Sequence, residues 1–190
     1  MRIEQKFIVD AAPDRVWALL TDPFRVARCL PGASITEKID DKTYGGTITV
    51  KVGPIAASYR GRLTFERLDD ARREAELVAS GQDVRGRGGA DMRLSSRVMA
   101  LEGGAATQVL LESDVTVHGL LGQMGRGMIE TVASQMLEQF TAAVRENLAA
   151  ESAAAPAPEA APALNALSIG TDGLKRAARR VIDRVRGSST

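Results

Sequence analysis

The sequence predicts an α+β fold: a curved antiparallel sheet of about seven strands wrapped around a long C-terminal helix, with two short helices after the first strand. Three observations predict it. Several successive segments alternate apolar and polar residues and are joined by short turns, the pattern of an antiparallel meander with one wet face. A pair of short helical stretches interrupts this pattern after the first strand. Near Gly119 the apolar period changes from two to 3.6 and holds for about 30 residues.

The elements follow in order. Ile3, Gln5, Phe7 and Val9 share one face of the opening strand, with Arg2, Glu4 and Lys6 opposite. Pro13 stands near the first position of a helix carrying Val16, Trp17, Leu19 and Leu20 at helical spacing. Thr21-Asp22-Pro23 breaks it and starts another, which Pro31-Gly32 ends. Strand-like segments follow. Ile48, Val50 and Val52 alternate after Thr43, and beyond the Gly53-Pro54 turn Ile55, Ala57, Tyr59, Leu63 and Phe65 face one way. A weaker strand, 74–80, leads into the glycine-rich stretch GQDVRGRGG, 81–89, which reads as a hairpin turn. It lacks the lysine and the strand–loop–helix setting of a phosphate loop. Met92, Leu94, Ser96 and Val98 alternate next, then Val109, Leu111, Val115 and Val117. The helical run from Gly119 to about Ala149 carries Leu120, Leu121, Met124, Met128, Ile129, Val132, Met136, Leu137, Phe140 and Val144.

A sheet with a single apolar face must be covered, and the long helix is the cover. A curved sheet closed over one helix leaves room for a ligand. The inward strand positions and the helix underside give the expected ligand-contacting set: Leu20, Phe24, Ile48, Val50, Tyr59, Leu63, Leu77, Val98, Leu111, Val115, Leu121, Met124, Met128 and Val132. Each taken singly is equally a core residue. Tyr59 stands out, because a buried phenol needs a hydrogen-bond partner and a ligand carbonyl is one. Met92, Met124, Met128 and Met136 are flexible and polarisable, suited to a compliant pocket. Gly119, Gly122, Gly125 and Gly127 crowd the start of the helix at a cost that points to close packing or a mobile lid.

Residues 1–149 thus form the ligand-binding domain, 150–172 an Ala/Pro-rich flexible linker, and 173–187 a basic amphipathic helix. The stretch LKRAARRVIDRVR, 174–186, places Leu174, Val181, Ile182 and Val185 on one face and Lys175, Arg176, Arg179, Arg180, Arg184 and Arg186 around the rest. It reads as a membrane-binding segment, with docking on a protein or a disordered solubilising end as the other readings. No run reaches the length of a membrane-spanning helix, and the N-terminus has no secretory apolar region.

Composition excludes several functions. The chain has 25 basic and 24 acidic side chains, net +1, a balance that argues against nucleic acid. One cysteine, Cys29, and one histidine, His118, leave no intramolecular disulfide, no metal-ligand spacing and only a remote Cys–His pair. No catalytic residue and no metal site is expected.

Four stretches carry a family resemblance: DPFRVARCLPGA (22–33), YGGTITVKVGPI (44–55) followed by YRG (59–61), GRGGADM (86–92), and LLGQMGRGMIETVASQMLEQF (120–140). They resemble the CoxG family, named for the G subunit of carbon monoxide dehydrogenase, and the order of elements resembles the helix-grip fold of START and polyketide-cyclase-like proteins. The resemblance covers about residues 1–148. It implies a non-catalytic accessory protein that carries a quinone, menaquinone or ubiquinone, in its cavity. It further implies coupling of a molybdenum-containing carbon monoxide dehydrogenase or related hydroxylase to the quinone pool, at the cytoplasmic face of the membrane. A recruiting adaptor with a solid interior and a cyclase or hydrolase on the same fold are the alternatives.

Basic residues near an acidic leaflet contribute about 1 kcal/mol each. The expected outcome is salt-sensitive co-sedimentation of the full chain with anionic liposomes, lost on truncation after Leu164. Undiminished binding of the truncated chain would exclude the anchor.

Overall fold

The structure, a computed structural model, describes residues 1–52, 55–119 and 121–154. The expected tail segment and its residues Leu174 to Arg186 lie outside the described residues, as do linker positions beyond 154.

Strand β1 (Arg2–Val9) leads into helices α1 (Pro13–Leu20) and α2 (Pro23–Cys29). Strands β2 (Ala33–Lys38), β3 (Thr43–Val52), β4 (Ile55–Asp69), β5 (Glu74–Asp83), β6 (Gly89–Leu101) and β7 (Ala106–Val117) follow, and helix α3 (Arg126–Ala154) ends the described chain. The seven strands form one sheet, β1-β7-β6-β5-β4-β3-β2, and each pairs with its neighbours antiparallel. β1 pairs with β7, because the two helices carry the chain from one sheet edge to the other.

The short helices form for local reasons. Pro13 sits in the first turn of α1 with Asp14 beside it, and Val16 and Leu19 are fully buried. Asp22 caps α2, its carboxylate accepting from the backbone N–H of Phe24 at 2.9 Å. Trp17 donates its indole N–H to Asp70 at 2.8 Å, tying α1 to the β4–β5 turn.

Three sequence expectations need correction. Alternation predicts no strand between Gly32 and Lys42, yet β2 is there. Its only large apolar residue before Ile39 is Ile35, and it is an edge strand with a bulge between Ile35 and Glu37 and charges at its end, so it has almost no apolar alternation to read. The long helix starts at Arg126, not Gly119. Leu121–Met124 is a separate 3-10 turn, and Gly125 takes φ +81°, a conformation that separates the two. The helix also continues through 150–154, positions that composition assigns to the linker. Glu151 is held there by Arg15, at 3.6 Å, and by Arg25, while Arg15 donates to the Leu148 carbonyl at 2.7 Å.

The core sits at one end of α3. Phe140, Val144 and Leu148 pack with Phe7, Val9, Val16, Leu19, Val98 and Val109 in one buried cluster. Phe7 and Phe140 meet edge to face at 6.0 Å. Arg145 donates to the Ile8 carbonyl at 2.7 Å, so the helix also covers part of the β1 edge. Towards its N-terminus the same helix packs more sparsely: Val132 meets a smaller buried cluster of Ala57, Tyr59 and Leu121, and Met128 is 43 % exposed.

The two halves of α3 therefore differ in their sensitivity to truncation. Leu148→Ala is expected to cost about 2–5 kcal/mol, whereas Met128→Ala costs less than about 1 kcal/mol. Urea denaturation monitored by circular dichroism measures both, and equal losses would contradict a one-ended core.

Candidate functional site

Between the inner face of the sheet and the undersides of α2 and α3 lies a cavity of about 420 Å³, open to solvent on one side. Its walls are almost entirely apolar. Leu20, Ile48, Val50, Tyr59, Leu63, Leu77, Val115, Leu121, Met124, Met128 and Val132 all line it, and so do Met92 and Met136. Phe24, Val98 and Leu111 do not. Phe24 points outward, 44 % exposed, its ring edge-on to Tyr44 at 6.1 Å. Val98 is 2 % exposed inside the packed core, and Leu111 packs against that same cluster. Both face the correct side of the sheet, but at the end that α3 seals.

Several lining residues were missed. Pro23, Val26, Ala27 and Leu30 turn one face of α2 into a wall. Their spacing is i, i+3, i+4, i+7, a helical stripe the sequence displays; Phe24 lies off it. Gly46, Gly61, Gly81 and Ala90 also line the cavity. They pair in register across four strands, Gly46 with Gly61, Gly61 with Gly81, and Gly81 with Ala90. A Cβ on Gly61 would stand 1.9 Å from the Ser80 carbonyl oxygen, so β4 and β5 approach too closely there for any side chain.

The β5–β6 turn is shorter than the glycine-rich stretch 81–89 suggests: Gly81 to Asp83 belong to β5 and Gly89 opens β6, leaving 84–88 as the turn. Asp83, with its side chain only 3 % exposed, organises it. Its carboxylate accepts from the Arg85 backbone N–H at 2.8 Å and from the Arg87 guanidinium at 3.2 Å, and Arg87 reaches on to the Ala56 carbonyl at 3.0 Å. The turn is pressed against the chain leaving β7. A Cβ on Gly88 would lie 2.1 Å from the His118 carbonyl oxygen, and one on Gly119, at φ +76°, 2.0 Å from that of Arg87. Close packing, not an open lid, explains Gly119.

Electrostatics follow the same division between wall and rim. Hydrogen bonding to Arg87 holds the Asp83 carboxyl below its ordinary range against the opposing effect of burial. Burial, helped by the charge of Asp83, pushes the Tyr59 phenol up and keeps it protonated. His118 is exposed at the rim, 3.8 Å from Asp91. Cys29 is buried in the packed core with its thiol pushed up by burial, and it forms no hydrogen bond with His118 among the described residues. Among the described residues no group of His, Cys, Asp or Glu is placed to hold a metal, and no helix is long and apolar enough to cross a membrane.

A seven-stranded sheet gripping a C-terminal helix around an apolar hollow defines the class: this is a START-like α+β fold. Solved structures share it. A conserved protein from Geobacillus kaustophilus is 16 % identical, covering 80 % of this chain and 97 % of its own, with a TM-score of 0.72. The Zhui aromatase/cyclase from Streptomyces sp. R1128 is 22 % identical over 83 % of this chain and 99 % of its own, with a TM-score of 0.62. A START superfamily protein from Mycobacterium smegmatis is 11 % identical over 79 % and 98 %, with a TM-score of 0.54. No curated protein sequence matches the chain. The chain belongs to the CoxG family, the G subunit of carbon monoxide dehydrogenase, whose pattern matches residues 6–149. That is a family of accessory proteins, and its name ties it to carbon monoxide dehydrogenase.

The Asp83 clamp carries a pH dependence of definite sign. A carboxyl whose folded pKa lies below its unfolded value stabilises the fold fully at neutral pH and loses that stabilisation as pH falls, from about pH 4 downward. Protection of the Arg85 and Arg87 amides, relative to their intrinsic exchange at each pH, should fall across that window, and Asp83→Asn should show the lowered protection already at neutral pH. Identical profiles in the two proteins would disprove the clamp.

Proposed function

We propose that this chain is a carrier for a quinone, menaquinone or ubiquinone, coupling a molybdenum-containing carbon monoxide dehydrogenase or related hydroxylase to the membrane quinone pool. The observation that carries the reading is the apolar 420 Å³ hollow within a protein of the CoxG family. Such a volume is in the range of small-molecule sites, and its lining suits a molecule that is greasy over most of its length. The residues of the hollow supply shelter and orientation; oxidation and reduction belong to the quinone and to the cofactors of the partner enzyme.

The sequence beyond the described residues completes the proposal. Lys175, Arg176, Arg179, Arg180, Arg184 and Arg186, with Leu174, Val181, Ile182 and Val185, hold the chain at an anionic surface on the inner face of the cell membrane. A tether raises the local concentration of the carrier near both bilayer and enzyme. A cyclase or hydrolase would require polar groups converging on the substrate, whereas this lining is mostly apolar, with Arg62 and Asp91 as its charged members.

Organic extraction of the purified chain followed by mass spectrometry tests carriage directly. A prenyl quinone is expected in near-stoichiometric amount. Ala79→Trp, which places an indole into the hollow opposite Leu63, should remove most of it while the chain remains folded by circular dichroism. Protein that yields no quinone from a quinone-containing host would leave only a recruiting role.

A further inference from the structure

We infer that the outer face of the sheet, at the end formed by β3, β4 and the β5–β6 turn, docks the acidic surface of a partner protein through Lys51, Arg60, Arg62 and Arg85. This goes beyond the carrier reading, on which it rests only for the partner used in its test.

The buried clusters that hold the helices lie on the inner face. On the outer face the side chains divide into two unlike regions. Over most of it each outward strand arginine has a carboxylate: Arg67 is 3.5 Å from Glu76, Arg97 2.8 Å from Glu74, Arg2 2.9 Å from Glu112, and Arg93 pairs with Glu66. That region is balanced and suits water. At the remaining end Lys51, Arg60, Arg62 and Arg85 are all exposed, and none forms an ion pair among the described residues.

The register explains why they stand alone. Level with Arg60 on the neighbouring strands are Ser34, Thr47, Gln82 and Gly89, none of them charged. Glu37 and Asp91 are level with Arg62 but two strands away on either side, roughly 10 Å between backbones. Val84 donates its backbone N–H to the Ser58 carbonyl at 2.8 Å, which lays the turn carrying Arg85 alongside β4. Arg87 in the same turn is neutralised by Asp83. Like charges fixed on a rigid sheet repel one another, and that repulsion is relieved when anions approach.

The surroundings define the kind of anion. Thr47, Thr49, Ser58, Ser80 and Gln82 stand among the cations. The one large apolar side chain exposed here among the described residues is Val84, too little to enter a bilayer. A net charge of +1 does not suit nucleic acid. Carboxylates on a folded protein match the patch: arginine forks grip them bidentately, and the hydroxyls add neutral hydrogen bonds. Beside the cations lies a shallow hollow of about 450 Å³, lined by Arg62, Thr64 and Ser80, with Asp91, Arg93 and Asp114 on its far side, which gives a protruding side chain a place to enter. Because side chains alternate along β4, Tyr59 and Gly61 face the cavity while Arg60 and Arg62 face the partner. Docking here sets the partner one sheet thickness from the cavity contents.

Biolayer interferometry of the full chain against purified carbon monoxide dehydrogenase from the same host tests this. Arg60→Glu/Arg62→Glu should weaken binding about tenfold or more, and the neutral Arg60→Gln/Arg62→Gln should fall between it and the unaltered chain. Lys6→Glu/Arg72→Glu carries the same change in net charge away from the patch and should alter affinity less than about twofold. Carbodiimide should join Lys51 to an aspartate or glutamate of the enzyme, identified by mass spectrometry. Quinone recovered by extraction should be the same for every variant, so docking can fail while carriage stands. No binding of the enzyme, or equal losses in the two charge-reversed proteins, would overturn the docking surface. So would loss of binding to phosphatidylglycerol liposomes in Arg60→Glu/Arg62→Glu with enzyme affinity kept, which would make the patch a membrane contact.

Discussion

The architecture depends on a single constraint: the main packed core locks helix α3 to the sheet through its C-terminal half. Phe140, Val144 and Leu148 enter a close-packed cluster with β1, β6, β7 and α1, and Arg145 and Glu151 add polar fastenings on either side. A helix is stiff over this length, so fixing its C-terminal half fixes the height of the rest above the sheet. The sheet cannot follow, because its strands twist progressively away from one another. Over β3 to β5 the gap is therefore wider than side chains of ordinary size would fill, and the residues there are smaller than ordinary. The hollow is a consequence of a rigid cover on a twisted floor, deepened by glycine.

Polar groups are distributed consistently with that division. Charge is sparse around the cavity, where Arg62 and Asp91 are the charged residues of an otherwise mostly apolar lining, and the Asp83–Arg87 ion pair lies outside it. An ionised group on the wall would carry a desolvation cost that no neighbour offsets. A neutral ligand can be held and released here without moving a charge into or out of water. The clamp does mechanical work as well. It joins the β5–β6 turn to the Ala56 carbonyl, and the same turn lies in close contact with His118 and Gly119.

The fold was legible in the sequence because its two periods are clean, and the exceptions have physical causes. β2 is a bulged edge strand with a single large apolar side chain before Ile39, so alternation had nothing to mark. The start of α3 was misplaced because apolar spacing continues through Leu121 and Met124, while the break depends on a positive φ at Gly125 that spacing does not express. At the site, alternation tells which face a strand residue presents but not how tightly that position is covered. Val98 and Val115 have the same inward sense on neighbouring strands; one lies under the packed end of the helix and the other under the hollow. The glycine row escaped for the opposite reason. Each glycine reads singly as a weak point or a turn, and only the register brings the residues together.

A hollow of this kind has an energetic consequence of its own whenever nothing fills it. Atoms lining a void lose dispersion partners they would have in a filled core. The packed half contrasts with this: Leu19, Val109 and Val144 are fully buried there, whereas Met128 is 43 % exposed. A molecule that fills the hollow restores those contacts and binds the folded state alone. Its affinity is then added to the stability of the chain by mass action. The residues that would gain contacts are those of the segment from Leu121 to Met136 that line the cavity, Leu121, Met124, Met128, Ile129, Val132 and Met136.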